Sequence, residues 1–434
     1  MDALPFDITY LNLFTTLFVL ALVGSLLLRY WLATRQIRHV AWNRHQVPAP
    51  FAPYISQQAH QKAAAYTVAR NQMDLWQSTY SAAIVIGWTL LGGLAALNYQ
   101  LHNLIEHPFW QQLALIAAFF LINGALELPV SWYATFKLEE RFGFNKSTQG
   151  LWWADVFKST LMTAVIGLPL AALYLFLMER AGSLWWLWAW GVWVLFALLM
   201  MVLYPSVIAP LFNKFQPLQD SQLSERVQAL MQRCGFQAKG LFVMDGSRRS
   251  AHANAYFTGF GAAKRVVFYD TLLRQLSVGE VEAVLAHELG HFKHRHIIQR
   301  IVSMFAFSLL GFALLGWLST QSWFYTGLGV YPAMGLSADW GSAPNDALAL
   351  LLFMLATPVF TQFISPLFSQ LSRKHEFQAD AYAAAQTQAA DLASALLKLY
   401  EDNASTLTPD PVYVKFYYSH PPASERLARL SYTP

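Results

Sequence analysis

Long apolar runs alternate with polar segments along the chain. Seven runs hold about 20 residues each, which is enough for a helix to cross the hydrocarbon core of a bilayer. These runs lie at 9–32, 78–98, 109–131, 155–178, 184–207, 297–319 and 347–370. The pattern predicts an all-α integral membrane protein with seven transmembrane helices.

The same pattern divides the chain into four parts. Residues 1–207 contain the first five spans, and 208–296 form a polar segment. Residues 297–370 contain spans six and seven, and 371–434 form a second polar segment at the C-terminus. The run from Thr9 to Leu32 follows an acidic N-terminus and shows no clear small-residue cleavage site, so we expect a retained helix rather than a secretory signal.

Lysine and arginine are unevenly distributed among the loops. They are frequent after spans one, three, five and seven. The N-terminal tail and the loops 99–108 and 320–346 have none, and the loop 179–183 has only Arg180. Because positively charged loops stay in the cytoplasm, we expect the N-terminus outside and both polar segments in the cytosol.

Composition agrees with a membrane protein. Hydrophobic residues make up 56% of the chain and charged residues only 12%, whereas about a quarter of the residues are charged in soluble proteins. The net charge of +4 is explained by loop topology, so no nucleic-acid partner is expected. The single cysteine, Cys234, excludes an intramolecular disulfide and argues against a thiol protease.

The most specific chemistry lies in "EVEAVLAHELGHFKHRH" at 280–296. Apolar residues recur with helical spacing over Val278–His296, so we expect an amphipathic helix. His287 and His291 then project from one face and suit two ligands of one zinc ion, with Glu288 able to act as general base on a water at the metal. A chance match on a histidine-rich helix is the alternative, since His294 and His296 are also present.

A third ligand would decide between these interpretations, because catalytic zinc keeps three protein ligands and one open position. The second polar segment offers Glu376 and Asp380, four apart on a predicted helix. One of the two can bind the metal while the other holds a zinc histidine from behind. His375 competes as a ligand, and an ordinary solvated helix face is the remaining alternative.

The same residues admit two other classes of protein. In an intramembrane metalloprotease the zinc helix would itself span the bilayer, which the charged residues Glu280, Glu282, Lys293 and Arg295 disfavour. In a transporter or receptor the zinc would be structural, and four protein ligands, often cysteines, would close the site. Three good ligands next to a base favour catalysis instead.

Several motifs together resemble the type 1 CAAX prenyl proteases, which are polytopic membrane zinc endopeptidases. They are "FGFNKST" at 142–148, "IAPLFNKF" at 208–215, "SAHANAYFTGFG" at 250–261, "HELGH" at 287–291, "EFQAD" at 376–380 and "SHPPASERL" at 419–427. The resemblance covers nearly the whole chain. It implies one Zn²⁺ held by His287, His291 and Glu376, with Glu288 as base and Asp380 behind a ligand.

The resemblance also implies an architecture and a substrate. Seven helices would form a barrel around a water-filled chamber, closed by a small α+β zinc-peptidase domain of the HExxH, gluzincin-like type. The substrate would be a peptide or protein prenylated at a C-terminal Cys and cut after that residue. A bacterial homologue in the inner membrane is expected, whose natural substrate stays open; a general quality-control metalloprotease is the alternative.

Further site residues follow from the motifs. "HANAYF" alternates like a strand and, with Gly259 and Gly261, predicts a hairpin, whose edge could hold an extended peptide. The resemblance puts Asn254 and Ala255 against the substrate, His420 at the oxyanion and Arg426 beside it. For His252, an ordinary role within the hairpin is the better interpretation.

Two ionisable residues lie in or at the ends of apolar spans. Glu127 and Lys158 are functional candidates because charges are costly inside a bilayer. We expect them to line a chamber wall, with a helix-packing pair as the alternative. The oligomeric state is not predicted by the sequence.

Overall fold

The computed structural model describes residues 8–236, 240–258, 265–330 and 345–431. Within these ranges the chain forms helices and one small sheet. The helices are α1 (Ile8–Asn43), α2 (Gln57–Trp88), α3 (Gly93–Leu104), α4 (Pro108–Tyr133), α5 (Gln149–Arg180), α6 (Trp185–Leu203), α7 (Ala209–Phe212), α8 (Ser221–Arg233), α9 (Asp270–Gln275), α10 (Val278–Lys293), α11 (His296–Leu318), α12 (Ser322–Gly327), α13 (Asp346–Thr361), α14 (Ser365–Gln386), α15 (Ala389–Asp402), α16 (Pro411–Tyr417) and α17 (Ala423–Ser431). The strands are β1 (Phe215–Pro217), β2 (Leu241–Met244), β3 (Ala255–Thr258) and β4 (Arg265–Tyr269).

Five stretches of helix in the described ranges are long and apolar enough to cross a membrane, and the number rises to seven if each of two bent helix pairs is one span. The five are Leu13–Asn43, Pro108–Glu139, Gln149–Arg180, Gly182–Phe212 and His296–Leu318. Their apolar side chains are widely exposed, as in Leu27, Val165 and Leu310. Exposed apolar surface of this extent is what helices surrounded by lipid present.

The second apolar run is not one continuous helix. α2 ends at Trp88, α3 begins at Gly93, and their axes differ by 48°. Gly92 has a φ of 75°, a conformation that glycine adopts at little cost. The expectation of an unbroken helix over 78–98 is therefore wrong at this break.

The seventh apolar run is also divided. α13 ends at Thr361 and α14 begins at Ser365, with a bend of 65° between them. Pro366 lies in the first turn of α14, where its missing N–H removes no helical hydrogen bond. The run 347–370 thus ends within a helix whose second half is polar.

The polar segments fold into one small α+β domain, as the resemblance implied. Its mixed sheet has the order β1-β2-β4-β3, with β2 and β4 parallel and the other two pairs antiparallel. Buried residues of α8, β4 and α10 form its core, among them Leu230, Phe268 and Leu285. The hairpin predicted from "HANAYF" is confirmed by β3 and β4; its turn glycines, Gly259 and Gly261, lie outside the described residues.

Candidate metal centre

The helix α10 begins at a capping box. Ser277 Oγ accepts a hydrogen bond from the backbone N–H of Glu280, and the Glu280 carboxylate accepts one from the N–H of Ser277. The helix ends at Lys293 instead of continuing to His296 as expected. Arg295 has a φ of 57°, a left-handed conformation that stops one helix and lets α11 start in a new direction.

Close packing against α14 positions the metal-binding face of α10. Val281, Leu285 and Leu289 are buried in the domain core. A Cβ on Gly290 would lie 2.9 Å from the Cα of Ala379. Only glycine allows the two backbones to approach this closely, and the approach places α14 side chains over the two histidines.

Three side chains from α10 and α14 converge on one point. His287 Nε2 and His291 Nε2 are 3.3 Å apart, and they lie 3.3 and 3.4 Å from the two carboxylate oxygens of Glu376. His287, His291 and Glu376 together form a group able to hold a metal ion. The competing ligand His375 lies outside this group and instead stacks on His296, with ring centroids 4.0 Å apart.

The separations between these nitrogen and oxygen atoms fit the ligands of a tetrahedral zinc ion. At Zn–N and Zn–O distances of about 2.0–2.1 Å, two ligand atoms of a tetrahedron are about 3.3–3.4 Å apart. Glu376 Oε2 is also buried and accepts no hydrogen bond within the described ranges. A buried oxygen without a partner is costly, and a bound cation would satisfy it.

His287 is held from behind by a buried ion pair. Its Nδ1 lies 2.8 Å from Asp380 Oδ1, and Arg426 Nε donates to Asp380 Oδ2 at 2.8 Å. Burial lowers the pKa of His287, but its hydrogen bond with Asp380 and the adjacent carboxylate of Glu376 outweigh burial and raise the pKa to about 9. The site therefore attracts a positive charge onto this ring, which a metal ion would supply in place of a proton.

Glu288 lies next to the ligands on α10. Burial raises the pKa of its carboxyl group, while the His287 and His291 rings pull that pKa down. Such an environment suits a carboxylate that takes up a proton during a reaction. The role of general base for Glu288 stays a prediction.

His420 and Arg426 reach the centre from the C-terminal segment. His420 Nε2 lies 3.5 Å from Glu376 Oε1, and its ring is mostly exposed. Arg426 is only 7% exposed and directs its guanidinium to Asp380. The structure thus places His420 at the open side of the centre and Arg426 behind His287.

The edge strand β3 runs beside α10. Phe257 packs against Phe292 of α10 with ring centroids 5.2 Å apart. Asn254 is exposed at the start of this strand and precedes Ala255, and its carbonyl accepts a hydrogen bond from the N–H of Tyr269. His252 is engaged elsewhere, stacked on Phe144 and bonded to Asn403 through Nδ1 at 3.0 Å.

The two ionisable residues singled out in the apolar spans, Glu127 and Lys158, do not pair. Lys158 Nζ donates to the carbonyl of Leu211 at 3.1 Å and lies over the ring of Phe212. Glu127 is exposed, and among the described residues no salt bridge joins it to Lys158. The packing-pair alternative therefore has no support here.

The sequence did not predict the roles of His296, Gln378 and Gly290. His296 lies 3.0 Å from His291 through the Nδ1 atoms of both rings, and its Nε2 lies 2.8 Å from Gln378 Oε1. In one continuous helix a residue five positions after His291 faces another side, so helical spacing gives no signal for this contact. Gly290, whose role is close packing, could have been suspected as an isolated glycine inside a helical pattern.

Comparison with known families gives two adjoining matches. Residues 36–214 match a model described as CAAX prenyl protease N-terminal, five membrane helices. Residues 217–434 match the model of peptidase family M48. Together the two matches cover most of the chain, and the second contains the whole metal centre.

Individual relatives agree along their full length. The CAAX prenyl protease 1 homolog of Arabidopsis thaliana is 34% identical over 427 residues, covering 94% of this chain and 96% of that protein. CAAX prenyl protease 1 of Saccharomyces cerevisiae is 33% identical, with 89% of each chain covered. The crystal structure of S. mikatae Ste24p superimposes with a TM-score of 0.86 at 29% identity, covering 99% of this chain and 100% of that one.

Proposed function

The chain belongs to peptidase family M48, and from this premise we propose that it is a zinc endopeptidase that cuts prenylated peptides at the membrane surface. That it is a membrane metalloprotease of the CAAX prenyl protease type follows from the family. The identity of the metal, the roles of the residues and the prenylated substrate are proposals. The observation that supports them is the His287–His291–Glu376 cluster, in which the two Nε2 atoms lie 3.3 Å apart and each lies 3.3 or 3.4 Å from one oxygen of Glu376, separations typical of ligands on tetrahedral zinc.

The three ligands would hold one Zn²⁺, which when bound supplies a Lewis acid for the substrate carbonyl and for water. Asp380 fixes the ring of His287 through Nδ1, so that Nε2 faces the ligand cluster. Arg426 in turn compensates the buried charge of Asp380.

Glu288 accepts the proton of the attacking water and delivers it to the leaving amine. His420, on the open side of the centre, donates to the oxygen of the scissile carbonyl as negative charge develops there. A peptide pairing with the exposed edge at Asn254 and Ala255 would be held extended, so that one peptide bond is presented to these groups. The apolar spans next to the domain could bury a prenyl chain, and each buried CH₂ would contribute about 0.8 kcal/mol to binding.

The function is tested with a fluorogenic farnesylated peptide ending in Cys-a-a-X and the matched peptide without farnesyl. We expect cleavage after the modified Cys and a higher kcat/KM for the farnesylated peptide. Equal kcat/KM values would mean that the lipid is not recognised, and the protein would then be better described as a general quality-control protease. No cleavage of either peptide by the zinc-loaded protein would contradict the proposal.

Variants separate the base from the ligands. Glu288→Gln should retain about one zinc per chain and lose turnover, because the proton acceptor is gone while all three ligands remain. His291→Ala and Glu376→Ala should lose zinc as well as turnover. Metal analysis of the purified proteins checks both statements, and full activity of Glu288→Gln would remove Glu288 from the mechanism.

The proposed location is the bacterial inner membrane, with the metal centre in the cytosol. The uneven distribution of lysine and arginine among the loops supports this orientation. After Cys234→Ser, a cysteine placed at Asn103 should react with an impermeant maleimide in intact cells, and one at Ser221 should react only after lysis. The reverse pattern would invert the topology.

A further inference from the structure

A chain of hydrogen bonds continues outward from His291. Its Nδ1 lies 3.0 Å from His296 Nδ1, and His296 Nε2 lies 2.8 Å from Gln378 Oε1. His296 is only 2% exposed. Its ring is stacked on that of His375, with 9° between the planes. The imidazole of His296 is therefore fixed in position and orientation.

The chemistry of this chain fixes where the protons lie. If His291 binds a metal through Nε2, its Nδ1 must carry the hydrogen. That hydrogen needs an acceptor. His296 Nδ1 can accept it only when the ring hydrogen of His296 is on Nε2. Gln378 Oε1, which can only accept, holds that hydrogen on Nε2.

The backbone is shaped to make this contact. Residues five apart in one helix face different directions, so His296 could not reach His291 in an uninterrupted α10. The left-handed conformation of Arg295, with a φ of 57°, ends α10 and turns the chain back. A strained residue of this kind persists where the surrounding structure requires it.

We propose that His296 and Gln378 form a positioning pair that orients His291 for zinc, as Asp380 orients His287. The inference rests on the proposed zinc site. The two ligands from α10 are then supported in different ways, His287 by a charged carboxylate and His291 by a neutral imidazole.

The test measures zinc affinity by competition with a chromogenic chelator, in the absence of substrate. His296→Leu and Gln378→Leu should weaken zinc binding by about 10- to 100-fold, the range for loss of a partner behind a metal ligand. His296→Asn, whose amide oxygen can accept from His291 Nδ1, should recover much of the affinity. The control is His294→Leu, because His294 contacts the ring of His296 but, among the described residues, accepts no hydrogen bond from His291.

The outcomes are separable from those of the function assay. Unchanged zinc affinity in His296→Leu, or an equal loss in His294→Leu, would overturn the pair. If zinc affinity fell in His296→Leu and stayed equally low in His296→Asn, His296 would act by packing alone, and this result would also contradict the proposal. Failure to cleave farnesylated peptides, by contrast, would bear on the proposed substrate and leave the affinity result standing.

A second inference rests on a different feature, a basic cavity beside α14. The cavity has a volume of about 890 Å³, and its lining includes the cations Arg373, Lys374, Lys415 and Arg429 with the single carboxylate of Glu425. Among the described residues no carboxylate pairs with Arg373, Lys374 or Lys415. Arg429 lies 3.5 Å above the ring of Phe377, which holds its guanidinium in place.

The cavity lies where membrane helices end. Its wall includes His39 and Asn43, from the last turns of α1, and α1 qualifies as a membrane span. Arg373 and Lys374 follow shortly after the end of the seventh apolar run at 370. We propose that this cavity binds the phosphate headgroup of an anionic phospholipid, because basic pockets next to spans attract such groups.

The test compares the melting temperature of the protein in nanodiscs of phosphatidylcholine alone and with added phosphatidylglycerol. We expect phosphatidylglycerol to raise the melting temperature of the wild type but not of Arg373→Gln/Lys374→Gln/Lys415→Gln. The charge-matched control Lys137→Gln/Arg141→Gln/Lys146→Gln should keep the shift. An equal shift in all three proteins, or none in the wild type, contradicts the site, and equal stabilisation by free inorganic phosphate would overturn a lipid as its source.

Discussion

The helices α10 and α14 both supply side chains of the candidate metal centre, but their positions are determined differently. The limits of α10 are set locally, by the capping box of Ser277 and Glu280 and by the left-handed Arg295. α14 begins in an apolar run and passes into the domain after a 65° bend. Its functional carboxylates are buried by contacts from α10 and α17 that are distant in sequence.

The difference shows why two histidines are easier to predict than their third partner. On α10 both ligands and the base lie within one and a half turns, so helical spacing alone brings them together. On α14 the choice between Glu376 and Asp380 depends on which carboxylate meets the Nε2 atoms of the two histidines and which lies between His287 Nδ1 and Arg426. Removing one local or one distant contact at a time should therefore change stability and zinc affinity to different extents.

The largest effect is expected from the distant contact of Arg426 with Asp380. Arg426→Leu would leave a buried carboxylate without its partner, which costs about 3–5 kcal/mol. The melting temperature in detergent and the zinc content should both fall. Additional Asp380→Asn should recover part of the stability, since the uncompensated charge is then removed.

A matched arginine tests whether burial is the cause. Arg274 pairs with Asp270 at 2.7 Å on an exposed face, and Arg274→Leu should cost less than about 1 kcal/mol. If both arginine variants lost the same stability, the argument from the buried charge would be wrong.

The next effect comes from the contact between α10 and α14. Gly290→Ala would place a Cβ 2.9 Å from the backbone of Ala379, so the helices must separate, at a cost of about 1–3 kcal/mol. Because Glu376 then moves away from the histidines, zinc affinity should fall too. Gly311→Ala is the control, since a Cβ there meets nothing within 4 Å; zinc affinity equal to wild type in both variants would contradict this account.

The sequence predicts the membrane class, the hairpin and the helix that carries His287 and His291, because each depends on local periodicity or on a nearby motif. The small α+β domain was expected only from the resemblance. It does not predict the breaks at Thr89–Gly92 and at 362–364. Hydropathy is nearly continuous there, and the breaks depend on glycine and proline in a packed setting. The contact of His296 with His291 was missed for a related reason: it depends on the backbone conformation of one arginine.

A smaller effect is expected at the start of α10. Glu280 accepts hydrogen bonds from Ser394 at 2.6 Å and Lys398 at 2.8 Å. Burial raises the pKa of Glu280, but these partners outweigh burial and lower it below its usual 4.5. Glu280→Gln keeps an acceptor for the capping box and loses the charge, so about 1–2 kcal/mol should be lost at pH 7.

The pH dependence of that loss has a definite sign. A carboxyl group whose pKa is lowered by folding stabilises the protein above its ordinary pKa, and the contribution disappears as the pH falls through the lowered value. The difference in stability between wild type and Glu280→Gln should therefore be constant near pH 7 and shrink below about pH 4.5. A difference that grew on acidification would contradict the assignment.

The smallest effect concerns the local end of α10. Arg295 is left-handed, which costs a non-glycine residue about 1 kcal/mol. Arg295→Gly removes that cost but adds freedom to the unfolded chain worth about 0.5–1 kcal/mol, so the melting temperature should stay close to that of the wild type. Arg295→Val should lower it, because a β-branched side chain tolerates this conformation poorly. If the turn is set locally, zinc affinity should follow the same order, with glycine close to wild type and valine weaker. Equal behaviour of the two variants would show that contacts elsewhere, and not the conformation of residue 295, bring His296 to His291.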